Sequence, residues 1–347
     1  MKLLIAGGGT GGHLFPGIAV AEEFTSLGDS NEVLFVGTKS GLEGKILPEY
    51  GWPVSFVMAE GIKGKGFFKT VKGLFKMLLG SLQSIGIIRK FRPSTVLGVG
   101  GYAAVPAVIA GKLLGVSSAI HEQNAMPGLS NRLLGRLVNR VFLTYPESER
   151  FFPAEKVRVT GNPVRKSILQ SFAETRKSVD SGKKFTLFIF GGSQGARRIN
   201  DVLMETFFNS ELAGIENLKV IHQTGDADFE SVKKCYEEMN IEAEVYPFIK
   251  DMASIYLEAD LIICRAGATT IAELLAAGKP AILIPYPYAA DDHQRLNGEA
   301  LVKKGAAMMI LEKDFTSERL SGEILRLFDD RKLLKEMSQK TVVLARP

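Results

Sequence analysis

The sequence is poor in the residues that build metal centres and disulfide frameworks. Of 347 residues, two are cysteine, four histidine and one tryptophan. Cys235 and Cys264 lie far apart without metal-ligand spacing, so they read as reduced thiols and no bound metal is expected. Long hydrophobic runs are missing as well. The most apolar stretches, Met77–Ile88 and Tyr102–Gly111, are short for a bilayer and carry Gly or Pro, so no transmembrane helix is expected. The N-terminal MKLLIAGGG has no apolar run before its glycines, so no signal peptide is expected. Charge is nearly balanced, with 43 basic and 38 acidic residues giving +5. That slight excess suits an anionic partner. Basic residues interleaved with stacking aromatics are lacking, which disfavours nucleic acid.

What is present is the composition of an ordinary globular protein, 46% hydrophobic and 23% charged, long enough for two domains. Short apolar runs alternate with helical patterns. Residues 2–6, Val33–Val36, Thr95–Val99, Ser118–His121 and Val141–Leu143 read as strands. The alternation pauses at Arg158–Arg165, where Gly161, Asn162 and Pro163 break any element, and a polar stretch follows at Glu174–Lys184. It resumes at Phe185–Phe190 and continues through Val220–His222, Glu244–Tyr246, Leu261–Cys264 and Ala281–Ile284. The expectation is an α/β chain of two doubly wound, Rossmann-like domains, residues 1–163 and 164–347, facing across a cleft.

Each half opens with strand, glycine loop, helix. Gly7-Gly8-Gly9-Thr10-Gly11-Gly12 fits G-x-G-x-x-G, the pattern that brings backbone and a helix N-terminus close to a phosphate. A nicotinamide site would need an acid at the end of the second strand, but Phe35-Val36-Gly37-Thr38 supplies none. No Gly-Lys-Ser/Thr follows for a Walker loop. Gly191-Gly192-Ser193-Gln194-Gly195 repeats the arrangement, with Ser193 adding a hydroxyl. A third small-residue helix start is Arg265–Glu273. Glu273 suits a ribose, and Thr270-x-x-Glu273 also fits a capping box, so both readings stand.

His13 opens a helix facing the first loop and suits a general base or a pyrophosphate contact. His121-Glu122-Gln123-Asn124 places four polar groups at a strand's end, whereas His222 and His293 read as structural. Asp226-Ala227-Asp228 reads as a solvated loop rather than a metal site. Lys65, Lys69, Lys72 and Lys76 share one helix face beside an apolar stripe of Phe68, Val71, Phe75, Leu78, Leu82 and Ile85, widened by Phe67, Leu74 and Leu79. Such a stripe suits either an anionic membrane surface or an ordinary core-facing helix. Arg132, Arg136 and Arg140 make a second basic face.

These segments together carry a resemblance. GGGTGGHLFP at 7–16, GVGGY at 98–102, HEQNAMPGLSNRLL at 121–134, GNPVR at 161–165, GGSQGA at 191–196, HQTG at 222–225, RAGATTIAE at 265–273 and PYAADDHQ at 287–294 resemble glycosyltransferase family 28. More closely, they resemble its inverting N-acetylglucosaminyltransferases of bacterial peptidoglycan synthesis. The resemblance implies the GT-B fold, no cofactor, and transfer of GlcNAc from UDP-GlcNAc to the C4 hydroxyl of MurNAc in lipid I (undecaprenyl-pyrophosphoryl-MurNAc-pentapeptide), giving lipid II. It implies a peripheral enzyme on the cytoplasmic face of the cell membrane, with an acceptor- and membrane-binding first domain and a UDP-GlcNAc-binding second domain. It implies donor contacts from Thr10, Gly11, Gly12, Asn124, Arg165, Ser193, Gln194, the backbone of Ile249, Ala268, Thr269, Thr270, Glu273 and Gln294. Acceptor contacts would come from Gly8, Gly9, Thr10, Gly101, Tyr102 and His121. His13 is the first candidate for general base and Glu122 the second, and Phe68, Lys69, Lys72, Phe75, Lys76 and Leu79 would meet the membrane. The rival activities on this architecture are a UDP-GlcNAc 2-epimerase and a diacylglycerol glycosyltransferase. A non-catalytic sugar-nucleotide-binding subunit is the rival outside catalysis. The chain stops at Ala345-Arg346-Pro347, where that family often continues through a last helix, so a shortened C-terminus is expected.

Overall fold

The computed structural model describes residues 1–61, 66–175, 184–192 and 195–346, with the backbone alone for 67–70 and 173–175. The chain divides into two compact units, Met1–Lys166 and Ser167–Pro347. In the first, β1 (Lys2–Ala6) leads into α1 (Gly11–Ser26), β2 (Glu32–Gly37) into α2 (Glu43–Glu49), and β3 (Val54–Phe56) into α3 (Phe67–Phe91). Then follow β4 (Thr95–Gly98), α4 (Ala104–Leu113), β5 (Ser117–Glu122), α5 (Leu129–Leu134), β6 (Arg140–Leu143) and β7 (Val157–Val159). The second unit takes in α6 (Lys166–Thr175), which starts at the division, β8 (Phe185–Phe190), α7 (Arg197–Asn209), β9 (Leu218–Gln223), α8 (Phe229–Glu238), β10 (Ala243–Tyr246) and α9 (Met252–Glu258). It closes with β11 (Leu261–Cys264), α10 (Ala268–Ala277), β12 (Ala281–Leu283), α11 (His293–Val302), β13 (Ala307–Met309), α12 (Ser317–Asp329) and α13 (Arg331–Leu344).

Both sheets are parallel, ordered β3-β2-β1-β4-β5-β6-β7 and β10-β9-β8-β11-β12-β13. Parallel strands covered by helices on both faces are apolar throughout, and β8 (FTLFIF) is buried at all six positions. In each sheet the winding reverses once, between β1 and β4 and between β8 and β11. Loops diverge at such a reversal and leave a crevice at the strands' carboxyl ends. Both glycine loops lie there, after β1 and after β8.

One expectation about length needs correcting. The apolar stretch around Met77–Ile88 belongs to a longer helix, and its segment Val71–Phe91 has the length and composition to cross a bilayer. Topology forbids that reading. α3 joins β3 to β4, which lie in one sheet, so both helix ends stay on the same side of any membrane.

Candidate functional site

In the first unit the glycine loop folds against the loop after β4. A Cβ on Gly101, at φ 76°, would meet the Gly8 carbonyl at 2.4 Å, so only glycine permits this approach. The loop's own amides are already engaged. Gly8 N–H donates to the Gly100 carbonyl over a long 3.4 Å. Gly9 N–H donates to Glu43 Oε2 at 2.8 Å, and the same carboxylate takes Thr38 N–H at 2.7 Å and the Thr38 hydroxyl at 2.9 Å through Oε1. This corrects the expectation for Gly8 and Gly9 as amide donors to an acceptor pyrophosphate, because a buried protein carboxylate already fills that place. The Gly11 and Gly12 amides at the start of α1 have no protein acceptor among the described residues.

His13 lies in the first turn of α1. Its Nδ1 is 3.3 Å from the Gly8 carbonyl and 3.2 Å from Thr10 Oγ1. A carbonyl only accepts, so Nδ1 carries the proton and Nε2 is the basic nitrogen. Tyr102 is exposed, with its ring close over Gly61.

The polar segment ending β5 turns inward. His121 Nε2 donates to the Gly161 carbonyl at 3.0 Å, and its Nδ1 accepts from Gln123 Nε2 at 3.1 Å. Burial is the main reason its pKa drops to about 4, so it is neutral at physiological pH. Both ring nitrogens are engaged, and what this geometry gives His121 is the placing of Gly161. The Glu122 carboxylate is buried and accepts from Asn124 N–H, Asn124 Nδ2, Gly128 N–H and Asn131 Nδ2 at 2.9 to 3.3 Å. Burial raises its pKa against those bonds. As second candidate for the base it is therefore poorly disposed, since its oxygens are committed to ordering residues 123–131. Arg165 packs over the Phe15 ring at 4.7 Å and donates to the Tyr50 hydroxyl at 3.2 Å, placing this expected donor contact in the first unit.

In the second unit, Gly195, at φ 75°, presses its Cα against the Thr224 carbonyl, where a Cβ would lie 1.9 Å away. Ser193 and Gln194 lie outside the described residues. Gln223 forms a bracket: its Nε2 donates to the Gly192 carbonyl at 2.9 Å and its Oε1 accepts the Ile249 amide at 2.8 Å. That leaves the Ile249 carbonyl as the backbone polar group of this residue for a ligand. Helix α10 starts after Gly267 with no side-chain cap, which overturns the capping box. Thr270 falls inside the first turn, and the buried Glu273 carboxylate accepts from the Tyr256 hydroxyl at 2.9 Å. Ala268 is buried, and Thr269 Oγ1 is buried with no protein partner. Gln294 Oε1 takes the Tyr286 amide at 2.9 Å.

His222 is structural, as expected: it is fully buried between Tyr236 Oη and Asn200 Oδ1, and burial lowers its pKa to about 3. His293 Nδ1 donates to the Ala290 carbonyl at 2.7 Å. Asp228 is tied to Asn200 Nδ2 at 2.8 Å, so the Asp226–Asp228 loop is anchored rather than wholly solvated. Sequence reasoning missed Glu43, Gln223 and Tyr256. Glu43 is six residues beyond the end of β2, past the position where an acid was sought, and only its enclosure between Gly37 and Gly41 could have flagged it.

On α3, the apolar stripe from Val71 to Leu82 faces outward, against the core-facing reading, while Ile85 is half-buried against the core. Leu74, Phe75, Leu78 and Leu82 are 52 to 60% exposed. Gly73, Gly80, Ser84 and Ile88 form the buried face, and Gly80 approaches the Met58 carbonyl so closely that a Cβ would lie 2.0 Å from it. Lys72 is exposed, Leu79 half-buried, and Lys76 pairs with Glu60 at 2.5 Å. Lys65 lies outside the described residues, as do the side chains of Phe67, Phe68 and Lys69.

Models for the glycosyltransferase family 28 N-terminal and C-terminal domains match residues 3–143 and 186–346. Two relatives bear the name UDP-N-acetylglucosamine--N-acetylmuramyl-(pentapeptide) pyrophosphoryl-undecaprenol N-acetylglucosamine transferase. That of Geobacter sp. (strain M21) is 51% identical over 346 residues, 99% of this chain and 92% of the relative. That of Citrifermentans bemidjiense is 50% identical over 346 residues, 99% of this chain and 96% of the relative. The crystal structure of Acinetobacter baumannii MurG superposes with a TM-score of 0.80 at 32% identity, covering 100% of this chain and 96% of that one. A Neisseria meningitidis UDP-GlcNAc 2-epimerase bound to UDP-GlcNAc reaches 0.66 over 97% of this chain and 94% of that one, at 13% identity, a likeness of fold alone.

Proposed function

Because the chain belongs to glycosyltransferase family 28, we propose that it transfers GlcNAc from UDP-GlcNAc to the C4 hydroxyl of MurNAc in lipid I, forming the lipid II of peptidoglycan synthesis. The observation that carries this reading is the near-full-length match to N-acetylglucosamine transferases at 51% identity. The epimerase alternative has only a shared fold in its favour.

An α-linked donor and a β-linked product require one displacement at the anomeric carbon. The acceptor oxygen attacks, its proton passes to a base, and UDP leaves with the bonding electron pair. His13 Nε2 is the base, since the Nδ1 proton is directed to the Gly8 carbonyl. The second unit holds the donor. The α10 N-terminus and the Thr269 hydroxyl face the growing charge on UDP, Glu273 takes the ribose, and the Ile249 carbonyl meets the uracil. Ser193, Gln194, Thr270 and Gln294 complete the donor contacts. Asn124 touches the transferred sugar, while the Gly11 and Gly12 amides, with Gly101 and Tyr102, meet the acceptor. With that charge met by amides and a hydroxyl, turnover persists in EDTA. A loss restored by Mg²⁺ would count against this scheme.

The enzyme docks peripherally on the cytoplasmic face of the cell membrane through the outward stripe of α3. Exposed apolar side chains flanked by Lys72 and Lys76 suit an anionic lipid surface. The test of function is incubation of labelled UDP-GlcNAc with a lipid I analogue. Labelled lipid II is the expected product. Acceptor-independent release of ManNAc or UDP would replace this reading with an epimerase.

A further inference from the structure

Between the first glycine loop and the end of β2 lies a cradle made for one carboxylate. Glu43, on the short helix α2, enters it and is 1% exposed. Three protein donors converge on it: Gly9 N–H, Thr38 N–H and Thr38 Oγ1. Three glycines form the walls. A Cβ on Gly8, Gly37 or Gly41 would lie 2.2 to 2.3 Å from Glu43 side-chain atoms, so the walls touch it directly. The place that in a dinucleotide-binding sheet is offered to a cofactor is here filled by the protein's own side chain.

The peptide between Gly8 and Gly9 links this carboxylate to the first turn of α1. Its N–H points to Glu43 and its C=O to His13 Nδ1. In a trans peptide these two groups point in opposite directions, so one planar unit carries both bonds. A negative charge on the N–H side deepens the partial negative charge of the carbonyl. That carbonyl holds the His13 ring in one tautomer and favours the imidazolium once Nε2 accepts a proton.

We propose that Glu43 is a positioning residue for the transfer reaction, acting on His13 through the Gly8–Gly9 peptide: it fixes the ring's tautomer and orientation and raises its basicity. The inference rests on His13 as the base of the proposed function. Among the described residues, Glu43 from α2 bears on His13 through the peptide and His121 from β5 bears on it by charge. Gly100 approaches the ring so closely that a Cβ there would lie 2.5 Å from it. His121 takes a proton only near pH 4, so it does not titrate across the neutral range.

The experiment is the pH profile of kcat for lipid II formation in wild type, Glu43→Gln and Thr38→Val, with both substrates varied and the folded fraction measured at each pH. A glutamine keeps the shape, removes the charge and sets an NH₂ against one of the donors. Glu43→Gln is expected to move the acid limb to lower pH by on the order of one unit. Its plateau kcat should fall about tenfold, with KM for UDP-GlcNAc unchanged. Thr38→Val keeps the Gly9 and Thr38 amide bonds to the carboxylate, removes the hydroxyl bond, and should move the limb the same way by less. Formate added to Glu43→Ala should restore part of the lost rate. An acid limb that stays in place in both variants, or a rate loss that only follows the folded fraction, overturns the proposal. Wild type that makes no lipid II overturns the proposed function itself. Wild type that makes lipid II alongside a normal His13→Ala variant overturns the relay alone.

Discussion

At the scale of single residues, hydrogen-bond directions separate groups oriented for chemistry from groups that hold the frame. Glu122 accepts four bonds and orders the turn after β5. His13 turns Nδ1 to the Gly8 carbonyl, which makes Nε2 the basic nitrogen. His13→Ala is therefore expected to lower kcat about a hundredfold or more while KM for UDP-GlcNAc stays near wild type. Steady-state kinetics with labelled donor decides it, and near-normal turnover at saturation would remove His13 as base. Gln223 makes a different kind of prediction. Its carboxamide ties the second glycine loop to the Ile249 backbone. Gln223→Leu leaves the buried Ile249 amide without a partner, at about 1–3 kcal/mol, and frees the half-buried Gly192 carbonyl. The expected result is weaker UDP binding by calorimetry, with the acceptor KM unaffected. Equal loss on both substrates would mean general unfolding instead.

At the scale of elements, α3 divides its surface by residue size. Gly73, Gly80 and Ser84 let the backbone pack closely, and Leu74, Phe75, Leu78 and Leu82 are left in solvent. An exposed stripe contributes little to folding, so Leu74→Ser, Phe75→Ser and Leu78→Ser together should leave the thermal midpoint nearly unchanged. Burying each such side chain in lipid is worth about 1.5–3 kcal/mol, so binding to anionic liposomes should fall more than about a hundredfold. Unaltered sedimentation with vesicles would refute membrane docking by this face. The periodicity of α3 was plain in the sequence, but which side faced inward was not, because the inward side is written in glycine and serine rather than in large apolar residues. The strands show the same limit. Ten of the thirteen strands were legible, whereas β3, β7 and β13 were not. Each of the three has only three residues and lies at a sheet edge, where one partner suffices and little burial is recorded in sequence. The glycine loops were legible as loops. What fills the first of them was not, because Glu43 reaches it by a turn of the chain that spacing cannot reveal.

At the scale of the whole molecule, both units have a parallel sheet with a glycine loop where the winding reverses, and each sheet carries a buried neutral histidine, His121 on β5 and His222 on β9. The histidines make stability depend on pH. Burial lowers His121 to about 4 and His222 to about 3. The unfolded chain binds these protons near pH 6.5, well before the folded one does. Their contribution is complete above about pH 6.5 and is lost as pH falls toward the folded values, at about 1.4 kcal/mol per pH unit for each histidine. Glu122 acts in the opposite sense in the first unit. Its raised pKa gives a contribution present at low pH and lost as pH rises, which offsets part of the His121 effect. Among the described residues no such offset adjoins His222, so the second unit should be the more acid-labile. Trp52, the chain's one tryptophan, lies in the first unit, so its fluorescence follows that unit while far-UV circular dichroism follows both. Urea midpoints between pH 7 and 5 should fall more steeply by circular dichroism than by Trp52 fluorescence. His222→Leu, which removes the titrating group, should flatten the circular dichroism slope and leave the Trp52 slope as it was. A variant whose slopes both match wild type would show that His222 does not set the acid limit.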